Sequence, residues 1–174
     1  MKPLKIEVPY ATPWFQVVAK TMRENEAPYY SLRLPDYATL LALTEERRVL
    51  VVSQYRPAME RDSLELPSGL LDPGETPVVA AKRELLEETG YEGGEVEVLG
   101  PMDPDSGRLG NRSWGFFGKD VRRVEGRVPE EGIQVFEWPI QELYAAIREG
   151  RFAQALHVAI VLHAMLKGYL PAPG

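Results

Sequence analysis

The sequence contains no cysteine among its 174 residues. Disulfide bridges and thiolate zinc sites are therefore excluded. It contains no run near the roughly 18 apolar residues that a membrane span requires. Its opening stretch, MKPLKIEVPY, lacks the apolar segment of about 7–15 residues found in secretory signals. A cytoplasmic location is the expectation. Positive charge is scarce as well: 20 Lys and Arg stand against 26 Asp and Glu, a net charge of −6. That balance argues against a general nucleic-acid-binding surface and against an anionic-membrane binder. It leaves room for a small polyanionic substrate if metal ions and a few arginines mask the charge. Histidine is nearly absent. His157 and His163 both lie on an apolar background with no second ligand spaced nearby, so they read as core or interface residues.

What is present is an ordinary globular composition, 44% hydrophobic and 26% charged. There is no internal repeat and no low-complexity segment. The length predicts a single domain, 1–174, able to bury roughly 70% of its unfolded surface. Residues 1–36 carry two predicted strands, Trp14–Met22 and Tyr29–Leu34, and 37–174 form the rest. Tyr37–Thr44 and Arg47–Tyr55 read as a hairpin pair turning at Glu45–Glu46. Both are apolar nearly throughout (TLLAL, VLVV), as in a sheet covered on both faces. Further strands are predicted at Glu95–Leu99, Ser113–Phe117 and Gly132–Trp138. Ile140, Leu143, Tyr144 and Ile147 recur at helical spacing, and Phe152–Leu166 is apolar almost all round, which implies burial in the core or at a subunit interface. Trp14, Trp114 and Trp138 read as core or interface residues, or one of them as a platform for a base.

The most informative stretch is Gly69–Tyr91, GLLDPGETPVVAAKRELLEETGY. Its second half predicts a helix, with Thr76 as amino-terminal cap, Pro77 at the first helical position and Gly90 closing the end in the left-handed conformation. At 100° per residue Val78, Val79, Ala81, Leu85 and Leu86 share one arc that should face the core. Glu84, Glu87 and Glu88 fall on the opposite side, spaced i, i+3 and i+4. Like charges at this spacing repel by roughly 0.2–0.5 kcal/mol each. They also oppose the helix dipole at its carboxyl end, by about 0.3–1 kcal/mol each. One reading is a solvated acidic face. The other is a cation site, because a hard divalent ion held by several carboxylate oxygens turns the repulsion into attraction.

These residues resemble the signature of the Nudix hydrolases, G-x5-E-x7-R-E-U-x-E-E-x-G-U, where U is a bulky apolar residue. Gly69, Glu75, Arg83, Glu84, Leu85, Glu87, Glu88 and Gly90 stand in register, and Tyr91 replaces the usual final aliphatic residue. The resemblance implies an α/β fold, a Nudix-type α/β/α sandwich with a mixed central sheet and an N-terminal strand extension. It implies Mg²⁺ as cofactor, with Mn²⁺ as a substitute, and Glu84 and Glu88 as metal ligands. Glu87 would be a ligand or near-ligand, and Arg83 would hold the glutamates through Glu75. The runs QYRP (Gln54–Pro57) and ELPSG (Glu65–Gly69) are similar to the branch that cleaves ADP-ribose and other nucleoside diphosphate sugars. In that branch the residue at Ser68 lends its carbonyl to a metal and the one at Glu65 shapes the substrate site.

The implied activity is Mg²⁺-dependent hydrolysis of the pyrophosphate bond of a nucleoside diphosphate derivative, ADP-ribose or an ADP-sugar, to a nucleoside monophosphate and a sugar phosphate. Arg56 suits bidentate phosphate binding or is a surface charge. Arg108 and Arg112 contact a phosphate or solvate the turn-rich loop Asp103–Arg112. That loop lacks the proline of the Ser-x-Pro-Gly-like stretch common in this branch. The group that activates water is expected on a late loop, Glu131 in preference to Glu130, or within the helix at Glu87. Relatives in this branch are dimers whose amino-terminal strands complete the partner's site, so a homodimer is expected. Two alternatives are a non-catalytic Nudix-fold ligand-sensing module and a house-cleaning nucleoside triphosphate pyrophosphatase. The intact glutamates speak against the first, and the QYRP and ELPSG runs against the second.

Overall fold

The computed structural model describes residues 2–173; Met1 and Gly174 lie outside the described residues. The amino-terminal segment forms a sheet of its own. β1 (Lys5–Ala11), β2 (Gln16–Thr21) and β3 (Tyr29–Arg33) pair antiparallel in that order. β2 and β3 lie within the predicted stretches, whereas β1 is an addition to them. Pro9, which has no N–H to donate, lies where the β1–β2 register shifts between Glu7 and Tyr10. A proline inside KIEVPYA masks the alternation that would otherwise mark a strand. β3 is tied to the 103–112 loop by the Leu32 N–H on the Arg108 carbonyl (2.7 Å) and the Gly110 N–H on the Leu32 carbonyl (2.9 Å).

The larger sheet contains β4 (Tyr37–Thr44), β5 (Val49–Arg56), β6 (Arg61–Glu65), β7 (Ser68–Leu70), β8 (Tyr91–Glu92), β9 (Glu95–Met102), β10 (Ser113–Arg123) and β11 (Gln134–Trp138). Its central order is β11–β5–β4–β10–β8, with β6 beside β5, β7 beside β4 and β9 beside β10. β4 and β10 run parallel and the other pairs antiparallel, so the sheet is mixed. The β4–β5 hairpin turns at Glu45–Glu46 as expected, and Arg47 adopts a left-handed φ of 58° to close it. β6 and β7 do not show in the sequence pattern. Arg61 and Asp62 disguise the first, and three residues are too few to reveal a period of two.

Three helices cover the sheet: α1 (Pro77–Thr89), α2 (Ile140–Arg148) and α3 (Ala155–Leu166). Alternation along β4 and β5 sends Ala38, Leu40, Ala42 and Leu50 against Ala80, Ala81 and Leu85 of α1. The residues between them, Leu41, Leu43, Val49 and Val51, pack with Leu143 and Ala146 of α2 and with Ile160 and Val161 of α3. The result is the α/β/α sandwich that the doubly apolar strands imply. Each such leucine or valine stabilises the fold by about 1.5–3 kcal/mol relative to an exposed one. Phe152 is buried but precedes α3, whose cap is Gln154, accepting the His157 N–H through its side chain. Although α3 is apolar all round, it is covered on one side only, leaving Leu162 and Leu166 exposed. Among the described residues no helix is long and apolar enough to cross a membrane.

Candidate active site

α1 begins and ends where the residues indicate. Pro77 opens it, and Gly90 closes it at φ 74° with its N–H on the Leu86 carbonyl. Thr76 has the extended conformation of a cap, but its side chain makes no capping hydrogen bond. The helix is rotated from the expected arc. Val79 is 53% exposed, while Glu88 is only 4% exposed and shares the buried row with Ala81 and Leu85. The acids therefore do not all lie opposite the core. Glu88 points at the sheet, where its Oε2 accepts from the Ser68 N–H (2.8 Å) and its Oε1 from Gln54 Nε2 (3.4 Å).

Burial governs the electrostatics. It pushes the Glu88 carboxyl up to about 8, with the charge of Glu84 adding to the effect and the Ser68 N–H and Arg56 opposing it. Glu84 is also raised, chiefly by burial, against the pull of Arg83. Arg83 is the organiser of the remaining acids. Its Nε and one terminal nitrogen fork onto the two oxygens of Glu75 (3.1 and 3.0 Å), the latter also reaching the Leu70 carbonyl (3.0 Å). Its other terminal nitrogen holds Glu84 (2.7 Å) and Glu87 (2.9 Å). Hydrogen bonding to Arg83, followed by the Asp72 N–H, holds Glu75 below the usual carboxylate range. Only a planar guanidinium supplies this many donors in fixed directions.

A Cβ at position 69 would displace the Glu84 carboxylate, so glycine here lets that carboxylate lie against the loop. The loop and the helix thus form a cradle in which Glu84, Glu88 and the backbone at Ser68 converge. Hard oxygen donors on buried acids, one paired with Arg83 and one pushed up by burial, fit a divalent cation such as Mg²⁺. Among the described residues no cluster of three acids or histidines already forms a cage. Glu84 and Glu87 are held by Arg83, and Glu88 by Ser68 and Gln54.

The substrate candidates divide. Arg56 and Glu65 face the acids from β5 and the end of β6, but they pair with each other through a fork of 2.9 and 2.5 Å. Burial raises the Glu65 carboxyl, and the bonds from Arg56 outweigh it, so the net shift is downward. Arg108 lies elsewhere, over the Tyr29 ring at 5.9 Å and bonded to the Gly107 carbonyl, on the amino-terminal sheet. Arg112 uses its backbone, donating to Asp36 (2.8 Å) and accepting from Tyr37 (2.9 Å). Among the described residues neither Arg108 nor Arg112 forms an ion pair with a signature glutamate. Trp14 is 69% exposed rather than a core residue.

The late loop folds back on the end of α1. There the Glu130 N–H donates to the Glu87 carbonyl (2.9 Å), and the Glu130 carboxylate adds to the negative field on Glu84. Glu131, favoured from the sequence, lies on the following turn and is exposed, as Glu130 is. β11 starts at Gln134, and Gly132 takes a positive φ of 87° in the turn before it. Gln54 opens the QYRP run but is not among the site residues expected from the sequence. It lies two positions before Arg56 and hence on the same face of β5.

A NUDIX domain model matches residues 34–156. The chain belongs to the Nudix family of hydrolases. It is 31% identical over 139 residues to the methanol dehydrogenase activator of Bacillus methanolicus, covering 78% of this chain and 75% of that protein. It is 30% identical over 136 residues to the ADP-ribose pyrophosphatase of Mycobacterium tuberculosis (strain ATCC 25618 / H37Rv), covering 75% of this chain and 66% of that protein. The crystal structure of an ADP compounds hydrolase superposes with a TM-score of 0.79 at 22% identity, covering 99% of this chain and 98% of that one, a shared fold.

Proposed function

We propose that this Nudix hydrolase cleaves the pyrophosphate bond of a nucleoside diphosphate derivative, ADP-ribose or an ADP-sugar, in the presence of Mg²⁺, with Mn²⁺ as a substitute. Water adds across the P–O–P link, giving a nucleoside monophosphate and a sugar phosphate such as ribose 5-phosphate. The observation that carries this reading is the buried Glu88 beside Glu84 and Ser68, with Arg83 holding the other acids in place. A bound divalent cation supplies charge neutralisation on the phosphates and polarisation of water. Glu84, Glu88, Glu87 and the Ser68 carbonyl are the groups that would hold it. Glu130 is the loop carboxylate that takes the water proton, in place of Glu131. Arg56, on exchanging Glu65 for a phosphate, provides a bidentate anchor.

Residues 37–174 form the catalytic core, and 1–36 serve as a dimerising extension, for which Arg108 and Arg112 on the adjoining loop provide substrate-facing charge. Exposed Ile6, Val8 and Tyr10 on β1, together with Leu162 and Leu166 on α3, support a homodimer. The lack of cysteine supports a cytoplasmic location. A panel of ADP-ribose, ADP-glucose, UDP-glucose, GDP-mannose, diadenosine polyphosphates and nucleoside triphosphates, read by phosphatase-coupled phosphate release with Mg²⁺, tests the reading. Preference for triphosphates would replace it with the house-cleaning activity, and no turnover of any would favour a sensing module.

A further inference from the structure

The bend between β6 and β7 is held by four separate elements. The Glu65 carboxylate is forked onto Arg56 of β5. The Pro67 carbonyl accepts from the Leu40 N–H of β4 (3.0 Å). The Ser68 N–H donates to Glu88 of α1. The Leu66 N–H lies between them, fully buried and outside the paired strands. It donates to Nδ1 of His157, 91 residues further along the chain on α3, at 3.0 Å.

His157 is itself tightly placed. It is 2% exposed, its N–H is bonded to the Gln154 side chain, and its ring lies against Phe152. Accepting at Nδ1 requires the tautomer protonated at Nε2, and burial keeps the imidazole neutral, so that lone pair is available. No other acceptor on α3 reaches the bend by its side chain among the described residues. A leucine or phenylalanine would fill the space as well as a histidine does but would leave the Leu66 N–H without a partner. A polar residue at this core position is therefore best explained by what it holds.

We propose that His157 is a positioning residue for the catalytic centre: by accepting the Leu66 amide it fixes the Glu65–Ser68 bend, and with it the side of the cation cradle that α1 does not supply. This role rests on the reading of Glu84, Glu88 and Ser68 as the cation site. It makes α3, which contributes nothing directly to the signature, a determinant of metal affinity.

The test compares wild type with His157→Leu, which removes the acceptor, and His157→Asn, whose Oδ1 stands close to the position of Nδ1. Ile160→Val serves as a control that trims the same buried face of α3 without touching the bend. Mn²⁺ binding is titrated by electron paramagnetic resonance, and exchange of the Leu66 amide is followed by NMR. The expected result is an approximately tenfold loss of Mn²⁺ affinity in His157→Leu, of the order expected when a buried donor is orphaned. Exchange at Leu66 should accelerate in the same variant, because a buried amide exchanges only when its segment opens. His157→Asn should recover most of both, and Ile160→Val should change neither. Wild-type behaviour of His157→Leu in both measurements, or an equal loss in Ile160→Val, would overturn the proposal. A wild-type protein that takes up no Mn²⁺ would instead overturn the metal reading, and Leu66 exchange would still decide whether His157 holds the bend.

Discussion

Replacing Glu88 by glutamine separates what this residue does for the fold from what it does for the reaction. The wild-type carboxyl is pushed up from 4.5 to about 8, mainly by burial. An acid raised in the folded state favours folding fully below its unfolded value, and that contribution is lost as the pH rises towards 8. At pH 7, about 2.5 units above the unfolded value, the loss at 1.36 kcal/mol per unit is about 3 kcal/mol. Glutamine keeps an oxygen for the Ser68 N–H and carries no charge. Metal-free Glu88→Gln should therefore melt roughly 6–12 °C above wild type at pH 7, on the 2–4 °C per kcal/mol typical of this chain length. The difference should shrink towards zero near pH 4.5. With Mg²⁺ the same variant should lose at least about 10²-fold in turnover, as when an electrostatic stabiliser of the transition state is removed. Calorimetry in chelator across pH, paired with phosphate release, makes both measurements. A variant that melts no higher than wild type at pH 7 refutes the electrostatic argument, and near-normal turnover at saturating Mg²⁺ refutes the metal role.

Gly69→Ala should push the Glu84 carboxylate out of its place against the loop and weaken Mn²⁺ binding with little change in melting temperature; unchanged Mn²⁺ titration would show that the cradle is not the cation site. Glu130→Gln should lower kcat by about 10²–10⁴-fold, the range of general acid–base catalysis, while Glu131→Gln changes it little. The reverse order in steady-state kinetics would return the role to Glu131, and loss of turnover in Glu87→Gln alone, with Mn²⁺ still bound, would place it on α1. Light scattering at micromolar concentration should give the mass of a dimer, and Ile6→Glu combined with Tyr10→Glu should give that of a monomer; a wild-type monomer would rule out the interface.

Local features of this protein were readable from its residues and long-range ones were not. Pro77 and Gly90 bound α1 because one lacks a donor that the first turn does not use and the other tolerates a positive φ. The turn at Glu45–Glu46 and the doubly apolar β4 and β5 follow from local pattern alone. The signature identified the family, since its spacing is itself a statement about one loop and one helix. The rotation of α1 was not readable. Whether Val79 or Glu88 faces the sheet depends on which row of the helix the sheet accepts, and the apolar arc alone misplaces it. The Arg56–Glu65 fork required the β5–β6 pairing, and the contact of Glu130 with Glu87 required the path of a loop through positive-φ Gly126 and Gly132. His157 read as a core or interface histidine, and it lies in the core; its bond to Leu66 appears only when α3 is laid against the sheet.

The central claim is most directly tested by incubating the purified protein with ADP-ribose, with and without Mg²⁺, and following the phosphorus resonances by NMR. The account predicts that the pyrophosphate signals are replaced by the two monoester signals of AMP and ribose 5-phosphate, that this requires the divalent cation, and that Glu88→Gln abolishes it. Persistence of the pyrophosphate signals with Mg²⁺ present, for ADP-ribose and for the ADP-sugars alike, would contradict it.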